Sequence, residues 1–311
     1  MTSPSAQPVA LVAGATRGAG RAIAVELARA GFQVVATGRS SRVSGPSDQD
    51  KPETIEETAD LAGPSCQARV VDHTSSSEVA GLVAWIESSY GRLDVLVNDM
   101  FGGDAFAEWG VPLWSHDLAN GLRMLELGVH SHLVTLHHAV PLLLSSSSPD
   151  SRGLLIEVTD GNAEVNRTPR PGGVYYDLVK AQVQRIIDVL ARDAASLPLD
   201  VIGVTPGWLR SESMLRGFGV SESNWRDFCA KEPSFGISES PTYVARGVAA
   251  LASDGARPSD WRGRVMTARE LSDRYGVTDA DGSRPDCWGL LAEFGWDADT
   301  PEAIAAIERY R

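Results

Sequence analysis

A chain of 311 residues, 43% hydrophobic and 22% charged, can bury a core as one large α/β domain or two small ones. Its formal net charge of −13 argues against nucleic acid and against anionic membrane surfaces, since both call for a basic face. The opening MTSPSAQPVALVAG lacks the basic segment and apolar length of a signal peptide, and no stretch reaches the ~18 apolar residues of a membrane helix.

Short apolar runs alternate with amphipathic stretches along the chain. Val9–Ala13 reads as a strand, followed by the glycine turn Gly14-Ala15-Thr16-Arg17-Gly18-Ala19-Gly20 and a helix over Arg21–Ala30 that Gly31 ends. Phe32–Thr37 is the second strand, Ser40–Asp50 a polar loop, and Pro52 opens a helix to about Ala62, closed by Gly63. Gln67–Val71 follows as a strand, and Glu78–Tyr90 as a helix behind the caps Ser75, Ser76 and Ser77. Leu93–Asn98 is nearly all apolar, as a strand covered on both faces should be. A long helix is expected over Leu122–Leu144, a strand over Leu154–Thr159, a helix over Val174–Ala195 and a strand over Val201–Thr205. Pro241–Ala252 reads as one more helix and Arg264–Thr267 as the last strand.

Repeated βα units of this length imply a doubly wound parallel sheet of about seven strands with helices on both faces. No linker divides the chain, so one domain is expected over 1–311, with a core at about 8–268 and a C-terminal extension over 269–311. Trp208–Ser240 and the tail after Ala268 fall outside the alternation and read as elaborations over a site.

The glycines stand where a strand hands over to a helix. Gly14 permits the tight turn, Gly18 lets backbone approach a diphosphate, and Gly20 lets helix and strand pack closely, with Thr16 and Arg17 between them. Anion binding follows from the free N–H groups and positive dipole of the helix start. The second strand ends Thr37-Gly38-Arg39-Ser40; Gly38 stands where a carboxylate would take the ribose hydroxyls. Arg39, Ser40 and Arg17 suit a 2′-phosphate, so NADP(H) is expected in preference to NAD(H).

Tyr176 and Lys180 are one helical turn apart and share a face. An ammonium beside a phenol favours phenolate, which makes Tyr176 a plausible acid/base tuned by Lys180. His130, His132, His137 and His138 cluster on the long helix without a carboxylate or cysteine partner at ligand spacing, so packing is expected there and no metal. Asp279-Ala280-Asp281-Gly282 resembles part of a calcium loop but lacks its glutamate, and reads as a polar turn. Trp109, Trp114 and His116, and later Trp208, Met214 and Trp225, follow strand ends and suit a substrate pocket or a core cap. Cys66, Cys229 and Cys287 are odd in number and scattered, which fits neither a disulfide framework nor a zinc site, so a reduced, cytoplasmic protein is expected.

The glycine turn, Asp72 after the third strand, Asn98 in the fourth, Tyr176-x-x-x-Lys180, and Pro206-Gly207 with Ser211 together resemble the short-chain dehydrogenase/reductase family over about residues 8–268. The tail Leu271–Gly276 with Asp279–Gly282 further resembles the branch called dehydrogenase/reductase family member one and its bacterial relatives. The resemblance implies a single Rossmann-like domain and hydride transfer between a nicotinamide and a small-molecule substrate. By it, Asp72 with His73 contacts the adenine end, Asn98 steadies the central strand and Lys180 holds the nicotinamide ribose. Pro206, Gly207 and Ser211 meet the carboxamide. It further implies a homodimer or homotetramer built on the two long helices. Three departures stand out: Ala13 for the family's threonine, Asn98-Asp99-Met100-Phe101 for its Asn-Asn-Ala-Gly run, and a tetrad with Gly128 for the helix asparagine and Asp160, after Thr159, for the serine. Asp160 reads as a protonated donor, as the ion partner of a cationic substrate group such as an amine or iminium, or as turned away with Thr159 or water in the serine's role. The same departures support an alternative: a cofactor-binding sensor or scaffold with a degenerate site.

Overall fold

Among the described residues seven strands make one parallel sheet in the order β3-β2-β1-β4-β5-β6-β7, in a computed structural model that describes residues 7–47, 50–170, 172–296 and 299–311. The strands are β1 Val9–Ala13, β2 Gln33–Gly38, β3 Cys66–Val70, β4 Val95–Asn98, β5 Gly153–Val158, β6 Leu199–Thr205 and β7 Val265–Thr267. The helices between them are α1 Gly18–Arg29, α2 Ile55–Ala62, α3 Ser76–Tyr90, α4 Leu118–Leu125, α5 Ser131–Ser145, α6 Gly173–Asp193, α7 Glu212–Phe218 and α8 Pro241–Ser253. Beyond the sheet lie α9 Ala268–Tyr275, α10 Cys287–Phe294 and α11 Pro301–Tyr310. The strand order reverses between β1 and β4, and that reversal opens a crevice at the carboxyl ends of the strands.

Strand alternation splits the core in two. Ala10 and Val12, Val95 and Val97, and Leu154 and Ile156 face one layer with Ile23 and Leu27 of α1 and Val244 and Val248 of α8. Leu11, Leu96, Leu155 and Val201 face the other, with Leu82 and Ile86 of α3, Leu142 and Leu143 of α5 and Ile187 of α6. Both faces of every central strand are therefore buried, which is why these strands read as unbroken apolar runs.

The expected elements are present with shifted ends. α1 begins at Gly18 and not Arg21, because the glycine turn itself forms its first residues. α2 waits for Thr54, which caps it with Glu57 in a reciprocal capping box. The expected helix over Leu122–Leu144 starts four residues earlier, capped by Asp117, and a π-helical turn over Glu126–His130 joins α4 to α5. Residues 1–6 of the chain's start and residues 48 and 49 of the expected loop lie outside the described residues. Asp279–Gly282 forms the expected turn, closed by the Gly282 N–H on the Asp279 carbonyl (3.0 Å), but the Asp279 side chain is buried, bonded to Arg210 (3.1 Å) and to the Ser240 N–H (2.9 Å), and so ties the extension to the segment before α8.

Asp200 on β6 gathers three arginines, Arg152 at 2.8 Å, Arg257 at 2.9 Å and Arg262 at 2.6 Å. Burial pushes its carboxyl up, but the three guanidiniums outweigh burial and hold it below the usual range. Asp200→Asn leaves those arginines without their anion and is expected to cost about 3 kcal/mol, roughly 5 °C in Tm by calorimetry at neutral pH. Because the folded value is depressed, this stability is present above the unfolded carboxylate range. It is lost as pH falls through the folded value, so the gap between the two proteins should close in acid.

Candidate active site

A cavity of about 710 Å³ runs along the carboxyl ends of β1, β4, β5 and β6 and gathers nearly all the residues expected at a site. Gly14, Thr16, Arg17, Gly18, Arg39, Ser40, Asp72, His73, Thr159, Asp160, Tyr176, Lys180, Pro206, Gly207 and Ser211 all line it. Gly20 and Asn98 do not, and their positions explain why.

Gly20 lies behind the turn, where a Cβ would strike the Gly14 carbonyl and come within 2.8 Å of Asp99 Oδ2. Gly14 has φ of 87°, and a Cβ there would strike the Asp99 carbonyl. Gly20 lets α1 close onto the turn, and Gly14 lets the turn approach the segment after β4. Asn98 is buried in β4 and donates from Nδ2 to Glu157 Oε1 (2.9 Å) on β5. Glu157 in turn meets His132 Nδ1 (2.6 Å), whose Nε2 faces the Met100 carbonyl (2.7 Å). Two acceptors on one imidazole require both nitrogens to donate; although burial lowers the His132 pKa, Glu157 more than offsets it and raises it overall. Of the four histidines on the long helix, His132 is thus the structural one, an imidazolium that steadies the strand end carrying Asp99 and Met100.

At the end of the cavity beside β2, Arg17, Arg39, Ser40, Ser47 and Lys51 line it. A side chain at position 38 would collide with Thr16 Oγ1, so the Thr16 hydroxyl occupies the place of the carboxylate that would bind ribose hydroxyls. Arg17 Nε pairs with Glu53 (3.2 Å), which also holds Arg216, while Arg17 Nη2 is buried and without a hydrogen-bond partner. An unanswered guanidinium nitrogen in this wall fits a phosphate oxygen. Asp72 accepts the N–H (2.9 Å) and O–H (2.8 Å) of Thr74; burial pushes its carboxyl up, but these donors, with Arg39 and Arg123 nearby, keep it below the ordinary value. The His73 ring does not serve the cavity. It is buried, held down to about 4 by desolvation, and taken by Thr37 (2.8 Å) and Thr135 (2.6 Å). The Gly18 N–H donates to Glu212 of α7 (2.8 Å), so a carboxylate of the chain caps α1 beside the turn.

At the other end, α6 rises from Gly172, whose φ of 118° admits no side chain: a Cβ would sit 2.8 Å from the Trp109 ring and 3.0 Å from that of Tyr176. Trp109 and Phe101 pack on Tyr176 with ring centroids 5.0 and 6.0 Å away. Burial is the largest influence on the phenol and the Asp160 carboxylate the next; together they push Tyr176 well above its ordinary range. The expected lowering by Lys180 is not met. Lys180 Nζ lies 3.5 Å from the Phe101 ring centroid and 5.5 Å from that of Tyr176, and burial lowers its own value. Tyr176 is therefore held as the acid, not as phenolate.

Asp160 is neither isolated nor turned away. Its Oδ2 pairs with Arg170 Nη1 (3.0 Å), and its carboxylate acts on the Tyr176 phenol strongly enough to push it up. Arg170 is buried, anchored through Nη2 to Asn166 Oδ1 (2.8 Å) and through its N–H to Asp177 (2.8 Å). Thr159 Oγ1 reaches only the Lys180 carbonyl at 3.5 Å, so it does not take the serine's place. Sequence reasoning missed Arg170, although a carboxylate substituted beside a phenol needs a counter-charge, and the loop between Asp160 and Tyr176 offers only Arg167 and Arg170.

Gly128 lies in the π-helical turn, where a Cβ would collide with Val179 Cγ1 of α6 and come within 3.4 Å of Phe101. Valine in a helix is stiff at χ1 and cannot yield. Gly128→Asn, although it writes in the residue the family resemblance leads one to expect, should lower stability by about 1–3 kcal/mol in denaturant titrations and restore nothing.

The extension closes the far wall with Cys287, Trp288, Leu290, Leu291 and Trp296, and Trp288 Nε1 donates to the Pro206 carbonyl (2.8 Å). No periodicity announced that contribution.

The family model described as short chain dehydrogenase matches residues 8–217. Dehydrogenase/reductase SDR family member 1 of Mus musculus is 29% identical over 303 residues, covering 91% of this chain and 86% of the mouse protein. Two solved structures share the fold: 3-ketoacyl-(acyl-carrier-protein) reductase from Brucella melitensis complexed with NADH (TM-score 0.65, 21% identity, 84% of this chain and 96% of that one) and a short chain dehydrogenase from Shigella flexneri complexed with NADP (TM-score 0.63, 20% identity, 84% and 97%).

Proposed function

Since the chain belongs to the short chain dehydrogenase family, we propose that it is an NADP(H)-dependent oxidoreductase working as a reductase on a carbonyl or imine carbon of a small molecule. The observation that carries this reading is the meeting of Tyr176 and Lys180, with the glycine turn of residues 14–20, in one cavity. The dinucleotide supplies the hydride. Gly14, Gly18 and the start of α1 would hold its diphosphate, Arg39, Ser40 and Arg17 its 2′-phosphate, Asp72 its adenine end, and Lys180, Pro206, Gly207 and Ser211 its nicotinamide end.

Tyr176 then gives its phenolic proton to the substrate heteroatom as the carbon is reduced, so a C=O bond becomes CH–OH. A phenol pushed above its ordinary range stays protonated through neutral pH, which favours reduction over the reverse reaction. Lys180, buried under Phe101, keeps a positive charge near the phenolate that is left behind. A mere cofactor-holding sensor would need neither group in the crevice. Free thiols at Cys66, Cys229 and Cys287 suit a reducing compartment such as the cytoplasm. Exposed Leu118 and Leu122 on α4, with Val174 and Leu178 on α6, support a homodimer or homotetramer through those helices.

The test is an NADPH-consumption screen over ketones, quinones and cyclic imines. Turnover of any of them supports the reading; failure across all three classes with demonstrated NADPH binding would remove it.

A further inference from the structure

The reacting end of the cavity presents a carboxylate where a hydroxyl would ordinarily meet the substrate. Arg170 grips Asp160 through Oδ2 from behind: the guanidinium is almost fully buried and does not line the cavity, whereas the Asp160 side chain is 35% exposed and does. Arg170 is spent on fixing that carboxylate, with its remaining donors on Asn166 and the Asp160 carbonyl. At both Tyr176 and Lys180 the influence of Asp160 exceeds that of Arg170, so the ion pair does not cancel the carboxylate there. Asp104 adds to it, and the Lys51 ammonium lies 3.8 Å from Asp104. Glu232 and Asp299 line the same cavity.

The walls are aromatic: Phe101, Trp208, Trp288 and Trp296 line the cavity. A carboxylate fixed at the reacting end and π-faces around it form the chemistry that receives an organic cation, and they disfavour a group on which negative charge must grow. We propose that the site, if it has the reductase function set out above, selects substrates whose reacting end carries a positive charge, an iminium group whose reduction leaves an organic ammonium in the same place, with Asp160 as the ion partner of both and Arg170 as the residue that positions Asp160. The body of the ligand would be apolar and would lie against the tryptophans.

Calorimetric titration of the protein, with and without saturating NADP+, decides this. The probes are phenylpiperidine, which is protonated at neutral pH, and its neutral isostere phenyltetrahydropyran. The amine should bind about tenfold more tightly than the ether, the margin of a charge-assisted over a neutral hydrogen bond. Asp160→Asn should erase that margin while leaving the ether's affinity in place. Because that variant strands Arg170, the double variant Asp160→Asn with Arg170→Gln provides a second route to the same result. Equal affinities in the natural protein, a tighter ether, or no amine binding into the millimolar range would overturn the proposal. Turnover is read separately: amine selectivity that depends on Asp160, without reduction of any carbonyl or imine, leaves the cation site standing and removes the reductase reading.

Discussion

Tyr176→Phe is expected to lower kcat for reduction of a carbonyl substrate by about 10²–10⁴-fold, the range a positioned general acid contributes. The ring should stay in place, because its packing against Trp109 and Phe101 does not involve the hydroxyl. Cofactor affinity should therefore be nearly unchanged, and the loss should fall on kcat with little change in KM. The Asp160 carboxylate keeps Arg170, so no buried charge is stranded. An iminium substrate, which arrives already protonated, should suffer much less than a ketone. Stopped-flow measurement of NADPH oxidation under saturating cofactor gives the comparison. A variant as fast as the natural protein on ketones would take Tyr176 out of the mechanism.

Arg39→Ala is expected to weaken NADPH by about 10–100-fold and to leave NADH almost untouched. A charged hydrogen-bonding partner of a phosphate is worth about 1.5–3 kcal/mol, and NADH has no phosphate to lose it. The argument rests on the neighbourhood and not on Arg39 alone. Gly38 cannot carry the carboxylate that would favour NADH, because Thr16 Oγ1 fills the space a side chain would need. Arg17, half neutralised by Glu53, supplies the second guanidinium. Binding of each dinucleotide by fluorescence titration reads the result. Equal loss for both cofactors would place Arg39 elsewhere, and tighter binding of NADH by the natural protein would reverse the cofactor assignment.

The separate readouts matter because the two ends of the cavity differ in how local they are. The end proposed to hold the cofactor is built from short runs at strand–helix junctions, so Arg39→Ala tests a short segment. The reacting end is assembled from the loop after β4, the end of β5, α6 and the extension, and Tyr176→Phe tests whether that assembly works as a unit.

The chain's order of elements, its two-layered core and the glycine turn that lines the cavity were legible from residue pattern. Unbroken apolar strand runs, helix stripes and the glycines at 14, 18 and 20 are set by backbone sterics and nearest neighbours, which sequence states directly. Tertiary structure alone decided the rest. Asp160 was visible as a carboxylate, but its partner Arg170 lies ten residues on, brought back by a loop with no periodic signal. Lys180 was expected to tune Tyr176, yet depth of burial and the tilt of Phe101 drew its ammonium elsewhere. Gly128 looked like a missing asparagine, and only the approach of α6 shows that no side chain fits there. His132 and Glu157 became an ion pair because two elements far apart in sequence close over them. Charge state and contact depend on distance and desolvation, quantities that exist only once the chain has folded.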